Sequence, residues 1–243
     1  MAAPEAGGAP PTHETELPLG RKAYFKIAHL PGSRTGRSDR TAPRELAERC
    51  LSAPRPGEEI FVQEKLDGSC VAVARVGDAV LALGREGTLA ARSANPGRQM
   101  FAAWVEQRSA LFTELLQDGE WLVGEWLALA HGTRYRLQHE PFVVFDGFLR
   151  GEQWPFEVLS QRLHGALPQP ALLHRGGALS IAAMLAKLGS GRHGAVEPPE
   201  GAIWRVERQA RVVGMAKYVR GDKVDGALLP ENSGQDAVWN WKP

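Results

Sequence analysis

The chain repeatedly closes an apolar, strand-length run on a charged residue. Phe61-Val62-Gln63-Glu64-Lys65 stops at Leu66-Asp67-Gly68, Trp121-Leu122-Val123-Gly124 meets Glu125, and Phe142-Val143-Val144-Phe145 meets Asp146. Ala202-Ile203-Trp204 meets Arg205, and Val212 to Ala216 runs into Lys217. An unpaired buried charge is costly. A fold that accepts these runs as strands must therefore bring their charges to partners or to a shared polar space. Strand-like segments are predicted at 61–64, 71–76, 79–84, 121–128, 141–149, 202–207 and 211–219, with Asp67-Gly68 and Gly77-Asp78 as turns. Apolar residues at three-to-four spacing predict a helix over 98–117 and a second over 179–188. The rest of 150–200 reads as irregular. Many short strands with few helices predict an α+β domain of antiparallel sheets, not a doubly wound parallel one.

Composition narrows the function. The net charge is +1, so the chain does not coat nucleic acid by charge alone, and any contact must be a local patch. No run approaches the roughly 20 apolar residues of a membrane span, which predicts no membrane partner. The N-terminus lacks the basic and apolar parts of a signal peptide, and Cys50 and Cys70 alone make neither a disulfide framework nor a zinc site. The expected location is cytoplasmic. Residues 1–20, rich in Pro, Gly and Ala, read as a disordered tail, and 21–243 as a single domain. Arg34, Arg37, Arg40, Arg44 and Arg49 crowd segment 34–49, either as a solvated loop and helix start at Ala42-Pro43 or as a phosphate-contacting patch.

Of the 29 basic residues only seven are lysines: 22, 26, 65, 187, 217, 223 and 242. In such an arginine-biased chain a lysine marks a place where an amine is needed, because an amine can lose its proton and become a nucleophile whereas a guanidinium cannot. Lys65, at a strand end before Asp67-Gly68, is the nucleophile candidate. Taken alone, Glu64-Lys65-Leu66-Asp67-Gly68 is equally an ordinary hairpin, and Gly84-Arg85-Glu86-Gly87 an ordinary turn. Gly124-Glu125, Phe145-Asp146, Glu200-Gly201 with Arg205, and Lys217 likewise each have a simple strand-end explanation.

Their order resembles the ATP-dependent RNA ligase domain family of the covalent nucleotidyltransferase superfamily, from Tyr24 to the C-terminus. Lys65-Leu66-Asp67-Gly68 looks like the nucleotidylation motif, and Arg85-Glu86-Gly87 like the R-x-G motif. Glu125 stands for the third motif, Phe145-Asp146 for the aromatic-acid pair, Glu200-Gly201 with Arg205 for the fourth motif, and Lys217 for the second lysine of the fifth. The separations fit: 20 residues from Lys65 to Arg85 and 60 to Glu125, then 21 to Asp146, 54 to Glu200 and 17 to Lys217. The stretches His29-Leu30-Pro31-Gly32-Ser33 and His131-Gly132-Thr133-Arg134-Tyr135 also look like this family.

The resemblance implies a nucleotidyltransferase (ATP-grasp-like) fold with its nucleotide cleft between antiparallel sheets and flanking helices. It implies that Lys65 takes AMP from ATP, passes it to an RNA 5′-phosphate, and that a 3′-hydroxyl displaces AMP. Catalysis would fall to Lys65, Lys217 and Glu200, with Lys217 helping to lower the pKa of Lys65. ATP would meet Glu64, Lys65, Asp67, Gly68, Arg85, Glu125, Phe145, Glu200, Arg205 and Lys217. Mg²⁺, or Mn²⁺, would sit at Asp146 and Glu200, directly or through water. Arg220 could help hold the nucleotide or RNA phosphates. The substrate would be RNA ends or a nicked duplex containing RNA. The alternatives are transfer to nicked DNA, RNA 5′-adenylation without sealing, or a nucleotide-binding module without chemistry.

Three departures stand out. Met215 replaces the first lysine of the fifth motif, and Cys70 replaces a frequent asparagine. Only 26 residues follow Lys217, which leaves no room for an appended OB-fold. The grip on RNA would then come from segment 34–49 or from a partner protein.

Overall fold

The computed structural model describes residues 17–242. The proposed tail therefore lies mostly outside the described residues. Its last part does not: 17–20 form a turn, with Leu19 packed beside Trp121. Ten strands and six helices follow: β1 (Ala28–His29), α1 (Arg44–Leu51), β2 (Glu58–Lys65), β3 (Ser69–Val76), β4 (Ala79–Gly84), α2 (Pro96–Gln107), α3 (Ser109–Leu115), β5 (Glu120–Trp126), β6 (Phe142–Leu149), β7 (Glu152–Gln153), α4 (Phe156–Leu163), β8 (Leu172–Gly176), α5 (Ile181–Leu188), β9 (Gly201–Arg208), β10 (Arg211–Val219) and α6 (Pro230–Ser233). They build two five-stranded sheets, ordered β1-β10-β9-β2-β8 and β4-β3-β5-β6-β7. Every pairing is antiparallel except β1 with β10. The expected α+β class of antiparallel sheets is thus what the chain adopts, and neither sheet closes into a barrel.

Side-chain alternation along each strand decides what lies between the sheets. Ile60 and Val62 of β2, Trp204 and Val206 of β9 and Ala216 of β10 face outward onto α1 and α5. Phe61, Gln63 and Lys65 then face inward, as do Ile203, Arg205, Met215 and Lys217. In the second sheet Val71, Val73, Leu122, Trp126 and Val144 pack outward on Phe101, Trp104 and Phe112 of α2 and α3. That leaves Cys70, Ala72, Trp121, Val123 and Phe145 on the inner side. The period of two thus puts Lys65, Glu125 and Lys217 on facing surfaces.

Four expectations change in detail. The 98–117 helix is two helices broken at Arg108 (φ −115°, ψ 20°), whose guanidinium is held by Glu140 over the Trp104 ring. The segment 150–200 holds, besides the predicted second helix, an edge strand β8 and helix α4, which starts after Pro155 and ends on a left-handed His164. Leu66-Asp67-Gly68 is no hairpin, because β2 and β3 lie in different sheets and this segment carries the chain from one to the other. Finally, the arginine-rich segment divides: Arg44 pairs with Glu48 and Arg49 with Glu58, while Arg34 reaches the space between the sheets.

Candidate active site

A cleft of about 540 Å³ opens between the sheets, a size suited to a nucleotide. Its walls include Glu64, Lys65, Cys70, Arg85, Glu125, Phe145, Glu200, Met215 and Lys217. Lys65 is at the last position of β2, opposite Gly201 of β9. Its Nζ lies 2.5 Å from Glu200 Oε2 and donates to its neighbour's carbonyl, Leu66 O, at 3.3 Å. Residue 201 is glycine for a reason of space: a Cβ there would run into the carbonyl of Tyr218 on β10. Gly68 is equally constrained, since a Cβ would stand 2.5 Å from Trp126 O. Its N–H donates to Glu125 Oε1 at 3.0 Å, which turns that carboxylate toward the Lys65 end of the cleft.

The electrostatics set each group's state. Burial acts to lower the pKa of Lys65, but Glu200, Glu125 and Asp67 outweigh it, and the amine is held above its ordinary value. This corrects the expectation of a depressed Lys65. The depressed amine is Lys217, through burial first and then the charge of Lys65. Burial raises Glu125 to about 8, with Glu200 and Asp67 adding to it against Lys65. Burial likewise raises Glu64 and Glu200. Burial and Glu125 keep the Cys70 thiol protonated, so it is no competing nucleophile.

Four expected ligand residues stand elsewhere. Asp67 and Gly68 do not line the cleft. Asp67 accepts from Gly132 N (3.1 Å) and Thr133 Oγ1 (3.0 Å), and its N–H donates to the Tyr135 hydroxyl (3.0 Å). It thus anchors the 131–135 stretch beneath the nucleophile. Arg205 and Asp146 are both fully buried and joined at 2.8 Å. Arg205 also donates to the carbonyls of Trp154 and Phe145, while Asp146 accepts from Tyr24 (2.9 Å) and Gln153. A β-bulge explains this: the β5–β6 register slips between Val123 and Gly124, so Phe145 has no partner and both it and Asp146 turn inward. Phe145 reaches the cleft, and Asp146 is spent on the sheet-to-sheet tie. Met215 is the register neighbour of Arg205, with its sulfur near Gln153 and Tyr24. Arg220 is tied to Asp222 outside the cleft.

Among the described residues no three His, Cys, Asp or Glu side chains form a metal cage. Mg²⁺ and Mn²⁺ bound through substrate phosphates need only one or two carboxylates. Glu200 and Glu125 beside Lys65 fit that requirement, and the fully partnered Asp146 does not.

Sequence reasoning did not single out Tyr24, Lys26, Gln63, Asp39 or Asp225, all of which line the cleft. It also missed the loop at Arg192, whose N–H is accepted by Glu64 at 3.0 Å. Apart from Gln63, on β2, they are single residues in irregular segments that carry no periodic signal.

A strand-end lysine thus stands between two mostly antiparallel sheets, with carboxylates and a second lysine lining the same cleft. The chain belongs to the RNA ligase family, whose model matches residues 58–219. It resembles the Naegleria gruberi RNA ligase with PPi at a TM-score of 0.52 and 17% identity, over 93% of this chain and 64% of that one. An apo mutant of the same ligase gives 0.55 and 16%, over 94% and 64%. An archaeal ATP-dependent RNA ligase gives 0.52 and 20%, over 81% and 48%. The chain thus spans under two thirds of these proteins. Solved relatives include the Naegleria ligase with ATP and Mn and with AMP and Mn. A comparison with curated proteins gives no match. No helix among the described residues is long and apolar enough to cross a membrane.

Proposed function

We propose that this protein is an ATP-dependent RNA ligase that joins a 5′-phosphate to a 3′-hydroxyl through a lysyl-AMP on Lys65. The observation that carries this reading is the convergence of Lys65, Glu125, Glu200, Lys217, Arg85 and Phe145 on one nucleotide-sized cleft from separate strands and turns of both sheets.

The Lys65 nitrogen attacks the α-phosphorus of ATP, a P–N bond forms, and the bond to the pyrophosphate oxygen breaks. The amine must first be neutral. As the side chains stand, Glu200 keeps it an ammonium, so Lys65 is stored in its unreactive form until charge on Glu200 is engaged elsewhere. Burial and the neighbouring cation Lys217 then favour the neutral amine. Lys217 and Arg85 stabilise charge developing on the phosphates. A divalent cation held by those phosphates and Glu200 would neutralise part of that charge. Phe145 offers a face for purine stacking, worth about 1–3 kcal/mol. In the second step the RNA 5′-phosphate oxygen takes AMP from Lys65. In the third, a 3′-hydroxyl forms the phosphodiester and releases AMP.

The test is direct. Protein mixed with α-labelled ATP and Mg²⁺ should carry covalent label that survives denaturation and alkali and is released by acid, as a P–N bond requires, and Lys65→Ala should carry none. Label that survives in Lys65→Ala defeats the assignment. End-labelled RNA, DNA and hybrid nicks then identify the acceptor.

A further inference from the structure

Residues 30–41 leave β1 and return upon it, forming a loop braced along its whole base. His29 N donates to Arg40 O and Ala42 N to His29 O, both at 2.7 Å. Leu30 N donates to Lys217 O (2.7 Å), Arg34 N to Val219 O (3.0 Å), and Val219 N to Ser33 Oγ (2.9 Å). The buried His29 ring clamps the inside: Nδ1 is 2.7 Å from Ser33 Oγ and Nε2 is 3.2 Å from Asp39. Asp39, the loop's one carboxylate, also accepts from Gly36 N at 2.8 Å and lines the cleft, where the charges of Lys217, His29 and Lys26 act on it. The loop is therefore tied to the strand that carries Lys217.

Its outer surface is different. Arg34, Thr35, Gly36 and Ser38 are exposed and line the cleft, together with Lys26. Among the described residues the Arg34 guanidinium makes no hydrogen bond or ion pair, and Lys26 donates only to the Ser38 hydroxyl at 3.0 Å. The cleft is thus sorted by charge. Its inner end holds Glu125 and Glu200 beside Lys65. Its outer rim offers two cations, neither in an ion pair with a described carboxylate although Asp39 lies near Lys26, plus two hydroxyls. A surface of that kind takes a terminal phosphate, by charge-assisted hydrogen bonds.

We propose that the rim of Arg34, Lys26, Thr35 and Ser38 is the seat of the RNA 5′-phosphate, holding that end beside the AMP carried by Lys65. The proposal rests on the ligase reading above and gives it a substrate site. The same chemistry would also suit the outer phosphates of ATP, so the experiment must separate the two.

Single-turnover measurements do so. Lysyl-AMP formation is timed with α-labelled ATP. Transfer of AMP is then timed from isolated lysyl-AMP protein to a 5′-phosphorylated RNA oligonucleotide. Arg34→Ala and Lys26→Ala should each slow transfer about tenfold or more beyond any effect on adenylation, and Arg34→Lys should recover part of it. Arg150→Ala, exposed beyond the end of β6 and outside the cleft, serves as the control. Equal slowing of both steps would assign the rim to ATP, and unaltered transfer would leave it with no role; either overturns the proposal. Binding is measured separately, with 5′-phosphorylated and 5′-hydroxyl oligonucleotides and full-length protein without nucleotide. Wild type should prefer the phosphorylated end about tenfold and Arg34→Ala should lose that preference, with the salt slope shallower by about 0.7. If no lysyl-AMP forms in the wild type, the ligase reading fails and this arm still decides the rim, equal binding by both proteins overturning it.

Discussion

Lys65–Glu200 and Arg205–Asp146 are both cation–carboxylate pairs in the space between the sheets. They stand four residues apart in β9 register, roughly 13 Å. Arg205 and Asp146 are each surrounded: the remaining Asp146 acceptors and most of the guanidinium are met by Tyr24, Gln153 and main-chain carbonyls, and neither is exposed. Lys65 and Glu200 keep 21% and 15% of their side-chain surface exposed and have few other partners. The Arg205 pair crosses between sheets and the Lys65 pair does not. A fully buried pair with partners of its own holds the layers together, whereas a partly open pair can exchange partners with an incoming charge. A cation intended for chemistry must be replaceable in its ion pair, and of the two only Lys65 is.

That contrast can be broken by mutation, beginning with the largest effect. Lys65→Ala should reduce lysyl-AMP formation by at least about 10³-fold while moving the unfolding midpoint little, since Glu200 is free to take a proton or water; labelling and thermal melts check both halves. Arg205→Ala should do the opposite within the limits of folding, costing about 3–5 kcal/mol in denaturant unfolding because Asp146 is left buried and unpaired. A mild effect there would place Arg205 with the site residues after all. Glu200→Gln removes the charge that holds Lys65 protonated, so the pH at which adenylation half-saturates should fall, with a lower maximal rate; a pH profile that does not move would refute the stored-ammonium account.

The smaller effects sharpen the comparison. Asp67→Asn should slow adenylation modestly, about three- to tenfold, by loosening the 131–135 stretch, with a matching loss of stability of about 1 kcal/mol. Glu125 contributes through pH. Its folded pKa of about 8 lies above the ordinary carboxylate value of 4.5. The folded protein therefore binds more protons than the unfolded chain between those values, and the stability due to this group falls as pH rises from about 4.5 to 8. Glu125→Gln should flatten that part of the stability–pH curve, as measured by urea unfolding at several pH values.

Several residues that line the cleft can be picked out from the sequence. The alternation of Trp121, Val123 and Glu125 already puts the glutamate on one face with inward-turned apolar residues, and Lys65 follows Gln63 and Phe61 in the same way. The edge strand β8 and the two-residue β1 were not legible, because both are short and owe their extended form to partners distant in sequence. The metal role of Asp146 was implied by the resemblance, and its tie to Arg205 was not legible: regular alternation puts Asp146 on the outer face with Phe142 and Val144, and the bulge at Phe145 that turns it inward shows only in the pairing with β5.

What the sequence determined alone is what local periodicity and turn chemistry control: strands β2 to β6, β9 and β10, the helical character of 98–117 and 179–188, and the glycines beside Lys65 and Glu200. The tertiary structure decided which charges are neighbours. Whether a carboxylate meets Lys65 or Arg205 depends on the crossing at 66–68, on strand register and on one bulge. Those are set by the packing of whole sheets, so the same residue types became a replaceable pair in one place and a permanent tie in the other.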